Sequence, residues 1–380
     1  IDLQFHAIDD PRVIFDRMAA DQAFDACEMS SSEFISRLCS PNAAVDCPFV
    51  ALPVFPSRVF RHGHISINEH SGIRNAKDLA GKRIGVPVQM MPVGGVPAVI
   101  DAVKDGTVEM ANTAPYYYFG KDETFALGCA IPFGLNSRQM TAWMYEGNGM
   151  KLMRDFYRNY NIVNFPAGNT GAQMGGWYRK EIKSMADIKG LKMRLGGFGG
   201  TIFGKIGGQP LNVPGGEIYQ ALEKGTIDAA EWVGPYDDQK LGFNKVAPYY
   251  YYPGWWEGGP ELDVLINKDA FNKLSKDYQA IVQAAATYAH VDMQAKYDTL
   301  NPKALKELLA TGTKVRAMPK DVMTTAFKAA MKSYDELSDT NADWKKIYAD
   351  YRGFRKDQNQ WFQLTEGTFD RFMQSQIKNL

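Results

Sequence analysis

The chain has 380 residues, and its 43 Lys and Arg balance its 43 Asp and Glu, so the formal net charge is zero. A neutral chain argues against nucleic-acid binding, because contacts to phosphates require a surplus of basic side chains. The length allows two ordinary domains, and no apolar run is long enough to predict a membrane-spanning helix.

Three segments share one pattern, an amphipathic helix followed by a tight turn and a short strand. They cover residues 13–27, 99–111 and 218–230. In the last two, Gly106 and Gly225 stand where the end of a helix needs a left-handed residue. A second pattern, a helical turn, a glycine and a strand, occurs at 78–86 and 187–195. This alternation predicts an α/β fold with mostly parallel strands, whose ligands bind beyond the strand C-termini.

The last third of the chain has a different pattern. From about Ala270 to Leu380 the apolar residues keep a helical period, with short interruptions such as 313–316. The last predicted helix carries the aromatic residues Trp361, Phe362, Phe369 and Phe372. Their apolar area must be covered either by the protein's own core or by a partner chain.

Six motifs after residue 92 carry a specific resemblance. They are DGTVEM (105–110), TAPYYY (113–118), PAGNTGAQMGGW (166–177), GLKMR (190–194), EWVGPYDD (231–238) and YYYYPGWWEGG (249–259). In these motifs the chain resembles solute-binding proteins of tripartite ATP-independent periplasmic (TRAP) transporters, and most of all the 2-oxoacid (pyruvate)-binding type. The resemblance implies a two-lobed, periplasmic-binding-protein-like fold of type II with a helical C-terminal region.

The first 91 residues resemble a different family. The segments FDACEMS (24–30), ALPVFPSRVFRH (51–62) and GKRIGVP (81–87) are similar to the N-terminal part of 4,5-dihydroxyphthalate decarboxylases. The chain is therefore interpreted as a fusion, natural or engineered, in which residues 1–91 supply the missing strand and helix of the first lobe. The expected domains are 1–91, lobe 1 at 92–168, lobe 2 at 169–258, and return strands with C-terminal helices at 259–380.

Arg194 is the first candidate for ligand binding. It follows a predicted strand and precedes a glycine-rich stretch, and its planar guanidinium can grip both oxygens of a carboxylate. The resemblance places Arg194 at the family's carboxylate-binding arginine. It also implies ligand contacts from Gln173, Trp232 and Tyr117.

Glu231 and Glu257 predict a cation site. Two carboxylates in a partly closed pocket repel each other, and a hard cation with oxygen ligands relieves that repulsion. The resemblance implies a sodium or calcium ion held by Gln173, Glu231, Glu257 and the backbone of Trp232. From the residues alone, the favoured interpretation of the two glutamates would be ordinary solvated acids.

The N-terminal segment offers weaker candidates. His62 and His64 would lie on one face of a strand, with Glu69 and His70 nearby, which is little support for a metal site. Arg58 and Arg61 could bind an aromatic dicarboxylate, as in the decarboxylase relatives, although the rest of that pocket is missing.

The expected function is an extracytoplasmic receptor for a small 2-oxoacid, with a bridging cation and no catalytic residue. Its expected partners are the small organic acid, the TRAP membrane subunits and, through an exchanged C-terminal helix, a second copy. The expected location is the periplasm, after removal of a signal peptide. The alternatives are a decarboxylase-like enzyme and a fusion whose binding is impaired.

Overall fold

The computed structural model describes five N-terminal strands and then residues 98–377 continuously. The strands are β1 (Gln4–Ile8), β2 (Ala26–Met29), β3 (Phe49–Leu52), β4 (His64–Asn68) and β5 (Arg83–Pro87). The chain divides into two compact units, residues 1–111 and 112–380. The domain boundaries expected from the sequence, including the one at residue 91, remain predictions.

The N-terminal unit contains a five-stranded sheet with the order β1-β5-β2-β4-β3. Strand β5 pairs in parallel with β1 and β2, whereas β4 is antiparallel to β2 and β3. The helix Val99–Lys104 follows, and Gly106 adopts a positive φ of 72° before strand β6 (Met110–Thr113). The predicted second helix–turn–strand unit is therefore confirmed, while the helix expected at 13–18 lies outside the described residues.

The second unit contains a six-stranded sheet. Its strands are β8 (Trp177–Tyr178), β9 (Lys192–Arg194), β10 (Gln209–Leu211), β11 (Ala229–Ala230), β12 (Tyr249–Tyr252) and β14 (Lys314–Ala317). Their order in the sheet is β10-β9-β11-β8-β12-β14. Strands β10, β9 and β11 are parallel, and β8 is antiparallel to both of its neighbours. Gly225, at a φ of 74°, ends the helix Ile218–Lys224 before β11, as predicted.

A three-stranded sheet with the order β6-β13-β7 lies beside the long helix Lys276–Ala310. Strand β7 (Ile162–Asn169) is antiparallel to β13 (Glu261–Asn267). His290 of the long helix is buried, and its ring nitrogens lie 3.2 Å from the Gly168 carbonyl oxygen and 2.8 Å from the Thr141 hydroxyl. These contacts fix the helix against the end of β7, which leads into the segment around Gln173.

The C-terminal region is helical, as predicted. It comprises the long helix followed by Lys320–Thr340, Ala342–Leu364 and Glu366–Gln376, interrupted by β14. The remaining α-helices of this unit are Ser137–Tyr145, Gly149–Tyr157, Gly197–Lys205, Pro235–Leu241 and Lys268–Lys273. Among the described residues, no helix combines the length and the apolar character that crossing a membrane requires.

The C-terminal helices hold the helix that follows Arg194. Phe198, on Gly197–Lys205, makes edge-to-face contacts with Tyr334 and Trp344, with ring centroids 5.1 and 5.6 Å away. The Trp344 indole also donates to the Tyr334 carbonyl oxygen at 3.2 Å. All three side chains are buried, so this aromatic cluster fixes the glycine-rich helix next to the end of β9.

Candidate functional site

The candidate site is built around residues 173–176, which run between two other segments of the chain. On one side, the backbone N–H of Gln173 donates to the Glu257 carbonyl oxygen at 3.1 Å. On the other, the backbone N–H of Met174 donates to the Val233 carbonyl oxygen at 3.2 Å. This backbone ladder brings Gln173 next to the segments that carry Glu257 and Glu231.

Gly176 explains why these segments can approach so closely. Its φ is 83°, and a Cβ atom at this position would lie 2.7 Å from the Ala230 carbonyl oxygen. A larger residue would therefore be strained by its backbone and would push β11 away. Gly176 in the 166–177 motif thus has a structural reason that the sequence pattern alone does not reveal.

Arg194 ends strand β9, and its side chain turns to the neighbouring strand end. Its Nη1 donates to the Glu231 carbonyl oxygen at 3.1 Å and also forms an ion pair with the Glu231 carboxylate. The guanidinium carbon lies 5.2 Å from the centre of the Trp232 ring, within cation–π range. The predicted residues Arg194, Glu231 and Trp232 are therefore brought together at adjacent, parallel strand ends.

Three oxygen atoms at the site are buried and have no hydrogen-bond partner. They are Gln173 Oε1, Glu231 Oε2 and Glu257 Oε2. Buried polar atoms are rarely left unpaired, because removing them from water without a replacement partner is costly. Amide and carboxylate oxygens are also the ligands that hard cations prefer. The residues present therefore fit the cation expected from the sequence.

The pKa values of the two glutamates also fit a bound cation. Burial raises the pKa of Glu231 to about 7, although the charge of Arg194 lowers it. Burial, and after it the charge of Glu231, raises the pKa of Glu257 well above its usual range. Burial lowers the pKa of Arg194, but the surrounding acidic groups, Glu231 first, raise it above its ordinary value. The site therefore has less positive charge than its two glutamates would need to be balanced when ionised.

Ordinary metal motifs do not describe this site. Nowhere in the described residues do three His, Cys, Asp or Glu side chains lie together as a metal set. The site offers only two carboxylates, so a cation here would depend on the Gln173 amide and on backbone carbonyl groups. Such a mixed oxygen set is typical of sodium and calcium rather than of zinc.

Aromatic side chains line the surroundings of the site. Trp255 and Trp256 are buried, and their rings meet edge to face with centroids 4.9 Å apart. Tyr117 is 41% exposed, and the pKa of its hydroxyl is raised first by burial and also by the charge of Glu257. Tyr117 therefore lies within electrostatic reach of Glu257, and its role as a ligand contact stays a prediction.

Tyr116 lies beside Tyr117 and is not among the residues predicted from the sequence. Burial, followed by the charge of Glu257, raises the pKa of Tyr116 well above its ordinary value. Its ring centroid is 4.7 Å from that of Tyr117, and a Cβ atom on Gly197 would lie 3.0 Å from its ring. The three consecutive tyrosines at 116–118 stand out in the sequence. The sequence does not show which of them the charge of Glu257 reaches, because that depends on how the backbone turns.

The tyrosines at 249–252 and the N-terminal candidates differ in how much of them the structure describes. In the tyrosine run, Tyr250 and Tyr251 are buried in the sheet core, whereas Tyr252 is 46% exposed. Arg58, Arg61, His62, Glu69 and His70 lie outside the described residues. His64 begins β4, but its side chain also lies outside them.

Sequence comparison relates the chain to known proteins. Residues 89–340 match the bacterial extracellular solute-binding proteins of family 7. A monocarboxylate 2-oxoacid-binding periplasmic protein from Nostoc is 49% identical over 277 residues, which make up 73% of this chain and 76% of that protein. A 4,5-dihydroxyphthalate decarboxylase from Pseudomonas putida is 46% identical over 80 residues, but these span only 21% of this chain and 30% of that enzyme.

Solved structures give the same picture. A TRAP transporter solute-binding protein from Bordetella bronchiseptica is a mixed-occupancy dimer, with calcium and picolinate in one active site and an apo site beside it. It has 45% identity and a TM-score of 0.75, and the match covers 80% of this chain and 90% of that one. Proteins from Colwellia psychrerythraea, with calcium and pyruvate, and Pseudoalteromonas atlantica, with sodium and pyruvate, have TM-scores of 0.73 and 0.72 at 37% and 36% identity. These two matches cover 77% and 78% of this chain and 90% of each of those chains. They confirm the predicted two-lobed α/β fold class.

Proposed function

Because the chain belongs to family 7 of the bacterial extracellular solute-binding proteins, we propose that it is a receptor for a small 2-oxoacid such as pyruvate. One observation carries the proposal: a largely buried guanidinium is paired with Glu231, and buried oxygen atoms of Gln173, Glu231 and Glu257 have no partner. Such a site suits a ligand with a carboxylate at one end and a cation-binding oxygen next to it, which is the chemistry of a 2-oxoacid.

Arg194 would bind the carboxylate of the ligand. Its guanidinium is held in place from two sides, by the Glu231 carbonyl oxygen and by the Trp232 ring. A planar, oriented guanidinium can make two parallel hydrogen bonds to a carboxylate, which a lysine ammonium cannot do.

Gln173, Glu231, Glu257 and the backbone of Trp232 would hold the cation. When bound, sodium or calcium would neutralise the two glutamates and offer a coordination position to the ligand's oxygens. The residues of this chain would supply the rest of the specificity, because Trp255 and Trp256 are already packed and leave apolar walls around the polar groups.

The proposed role is binding and delivery, without a chemical step. Proteins of this kind bind small organic acids outside the cytoplasm for membrane components, and we propose the periplasm as location and the TRAP membrane subunits as partners. The decarboxylase alternative receives little support, because that match spans less than a third of the enzyme.

We also propose that the receptor pairs with a second copy through its last helix. Glu366 is tied to the body by its ion pair with Arg138, but the apolar side chains that follow are turned to solvent. The exposed fractions of Phe369 and Phe372 are 65% and 63%. The Bordetella relative is a dimer, which agrees with this face being covered by a partner.

Pyruvate titration with and without Arg194 tests the binding function. In calcium-containing buffer, we expect saturable binding by calorimetry and a change in tryptophan fluorescence. The variant Arg194→Ala should weaken binding by at least about 100-fold, since a charged hydrogen-bonding pair contributes several kcal/mol.

The variant Arg316→Ala is a matched control for that titration. Arg316 also forms an ion pair with a glutamate, Glu181, but on the exposed surface. It should leave pyruvate binding unchanged. A wild-type protein that is folded but binds no 2-oxoacid in the presence of calcium or sodium would contradict the proposed function.

A further inference from the structure

The hydrogen bonds of Arg194 set a condition on its use as an anion-binding group. Within the described part of the chain, both hydrogen bonds of its guanidinium go to Glu231, one to the backbone and one to the carboxylate. The side chains of Arg194 and Glu231 are only 15% and 4% exposed. Breaking such a buried pair from one side leaves the other charge uncompensated, which is strongly destabilising. A carboxylate ligand that needs Arg194 therefore competes with Glu231.

The two oxygens of Glu231 have different surroundings. Oε1 is engaged by Arg194, while Oε2 is buried without a partner, like Glu257 Oε2 and Gln173 Oε1. Glu231 is therefore the residue that both holds Arg194 and offers an unpartnered oxygen. A cation bound among these oxygens would attract Glu231 and weaken its hold on Arg194.

A charge count shows which ligand can bind first. In their ionised forms, Arg194 contributes one positive charge, and Glu231 and Glu257 one negative charge each. An oxoacid that bound alone would separate the ion pair and add a third negative charge to a buried site, which like-charge repulsion opposes. A cation that bound first would balance the glutamates and leave Arg194 free for the oxoacid.

We propose that the Arg194–Glu231 ion pair is a latch that makes 2-oxoacid binding conditional on the cation. This inference rests on the proposed function and adds an order of events to it: Glu231 turns to the cation, Arg194 is released, and the carboxylate binds. By linkage, the oxoacid in turn tightens cation binding by the same factor. A divalent cation should couple more strongly than a monovalent one, because with calcium and a monoanionic oxoacid the charges sum to zero.

Two amide variants separate the latch from simple loss of a cation ligand. Glu231→Gln removes one carboxylate ligand and also the charge that holds Arg194. Glu257→Gln removes one carboxylate ligand and leaves the ion pair in place. Pyruvate is titrated calorimetrically into each protein in sodium-free, chelator-treated buffer and then with calcium added, and thermal unfolding checks that each variant is folded.

The latch predicts that the two variants differ in their affinity for pyruvate in cation-free buffer. The wild type should bind pyruvate at least about tenfold more weakly without a cation than with calcium. Glu231→Gln should bind pyruvate about tenfold or more tighter than the wild type in cation-free buffer, with little further gain from calcium. Glu257→Gln also removes one negative charge, but it leaves Arg194 paired with Glu231, so its gain in cation-free buffer should be clearly smaller. Simple removal of a cation ligand would weaken both variants alike.

A second measurement follows the latch without the oxoacid. Because Arg194 lies against the Trp232 ring, calcium alone should change the tryptophan fluorescence of the wild type, and Trp232→Phe should remove most of that change. Equal pyruvate affinity of the wild type with and without cation, or identical behaviour of the two amide variants, would overturn the latch and leave the receptor function standing. A wild type that binds no pyruvate even with calcium would instead refute the proposed function.

Discussion

At the scale of single residues, the second unit buries several acids that the site does not use. Asp263 on β13 is fully buried, and the Asn164 amide donates to its Oδ2 at 3.0 Å, while its Oδ1 has no partner. Burial raises the pKa of Asp263 to about 7, although the hydrogen bond from Asn164 lowers it. The native state therefore favours the protonated form of this carboxyl group.

This shift predicts a pH-dependent stability. Between about pH 4 and pH 7 the unfolded chain loses the Asp263 proton while the folded chain keeps it, so the free energy of unfolding falls as the pH rises. The variant Asp263→Asn cannot ionise at this position. Its free energy of unfolding relative to that of the wild type should therefore be higher at about pH 8 than at pH 5. Urea denaturation at both pH values measures the difference.

Asp335→Asn serves as the control for that measurement, because the side chain of Asp335 is 69% exposed. It should give a difference that changes little with pH. If the difference between the wild type and Asp263→Asn were the same at both pH values, Asp263 would not be the buried acid described here.

At the scale of secondary-structure elements, the aromatic cluster explains why the last third of the chain matters for the site. Trp344 is fully buried and touches Phe198, on the helix that begins three residues after Arg194. The helix Ala342–Leu364 thereby supports the glycine-rich helix near the site, although the two are far apart in sequence.

Removing that support should destabilise the second unit. Trp344→Ala should lower the free energy of unfolding by roughly 3–5 kcal/mol, the usual cost of deleting a large buried aromatic side chain. Trp344→Phe, which keeps an aromatic ring but loses the hydrogen bond to Tyr334, should lose clearly less. Denaturant unfolding of the two variants gives the comparison, and a loss below about 1 kcal/mol for the alanine variant would show that the cluster does not stabilise the fold.

The elements also show what the sequence could and could not predict. The helix ends at Gly106 and Gly225 were predicted correctly, because few residues other than glycine adopt the left-handed conformation that ends a helix. The strand end at Arg194 followed from the alternation of helices and strands together with the family resemblance. The antiparallel insertion of β8 and the ion pair of Arg194 with Glu231 could not be predicted, because both depend on which segments become neighbours in space.

At the scale of the whole molecule, the proposed pairing rests on the apolar face of the last helix. The helix Glu366–Gln376 buries none of its residues, and Phe369, Phe372 and Ile377 are all more than 60% exposed. Apolar patches of this kind mark interaction sites more often than free surface.

The proposed pairing predicts a change in mass. The wild type should elute as a dimer in size-exclusion chromatography with light scattering, and the double variant Phe369→Glu, Phe372→Glu should be monomeric at micromolar concentration. Leu309→Glu, a change at another exposed apolar residue, should stay dimeric. A wild type that is monomeric at all concentrations would contradict the pairing.

The three unpartnered oxygens have a last consequence, for the lifetime of the protein in the cell. A ligand that binds only the folded state adds its binding free energy to the stability of that state. Under the proposed function, the form without its ligands lacks that added stability and should open more often, and open chains are what proteases degrade. Turnover of this receptor would then follow supply: scarcity of cation or organic acid would shorten its life, and abundance would preserve it.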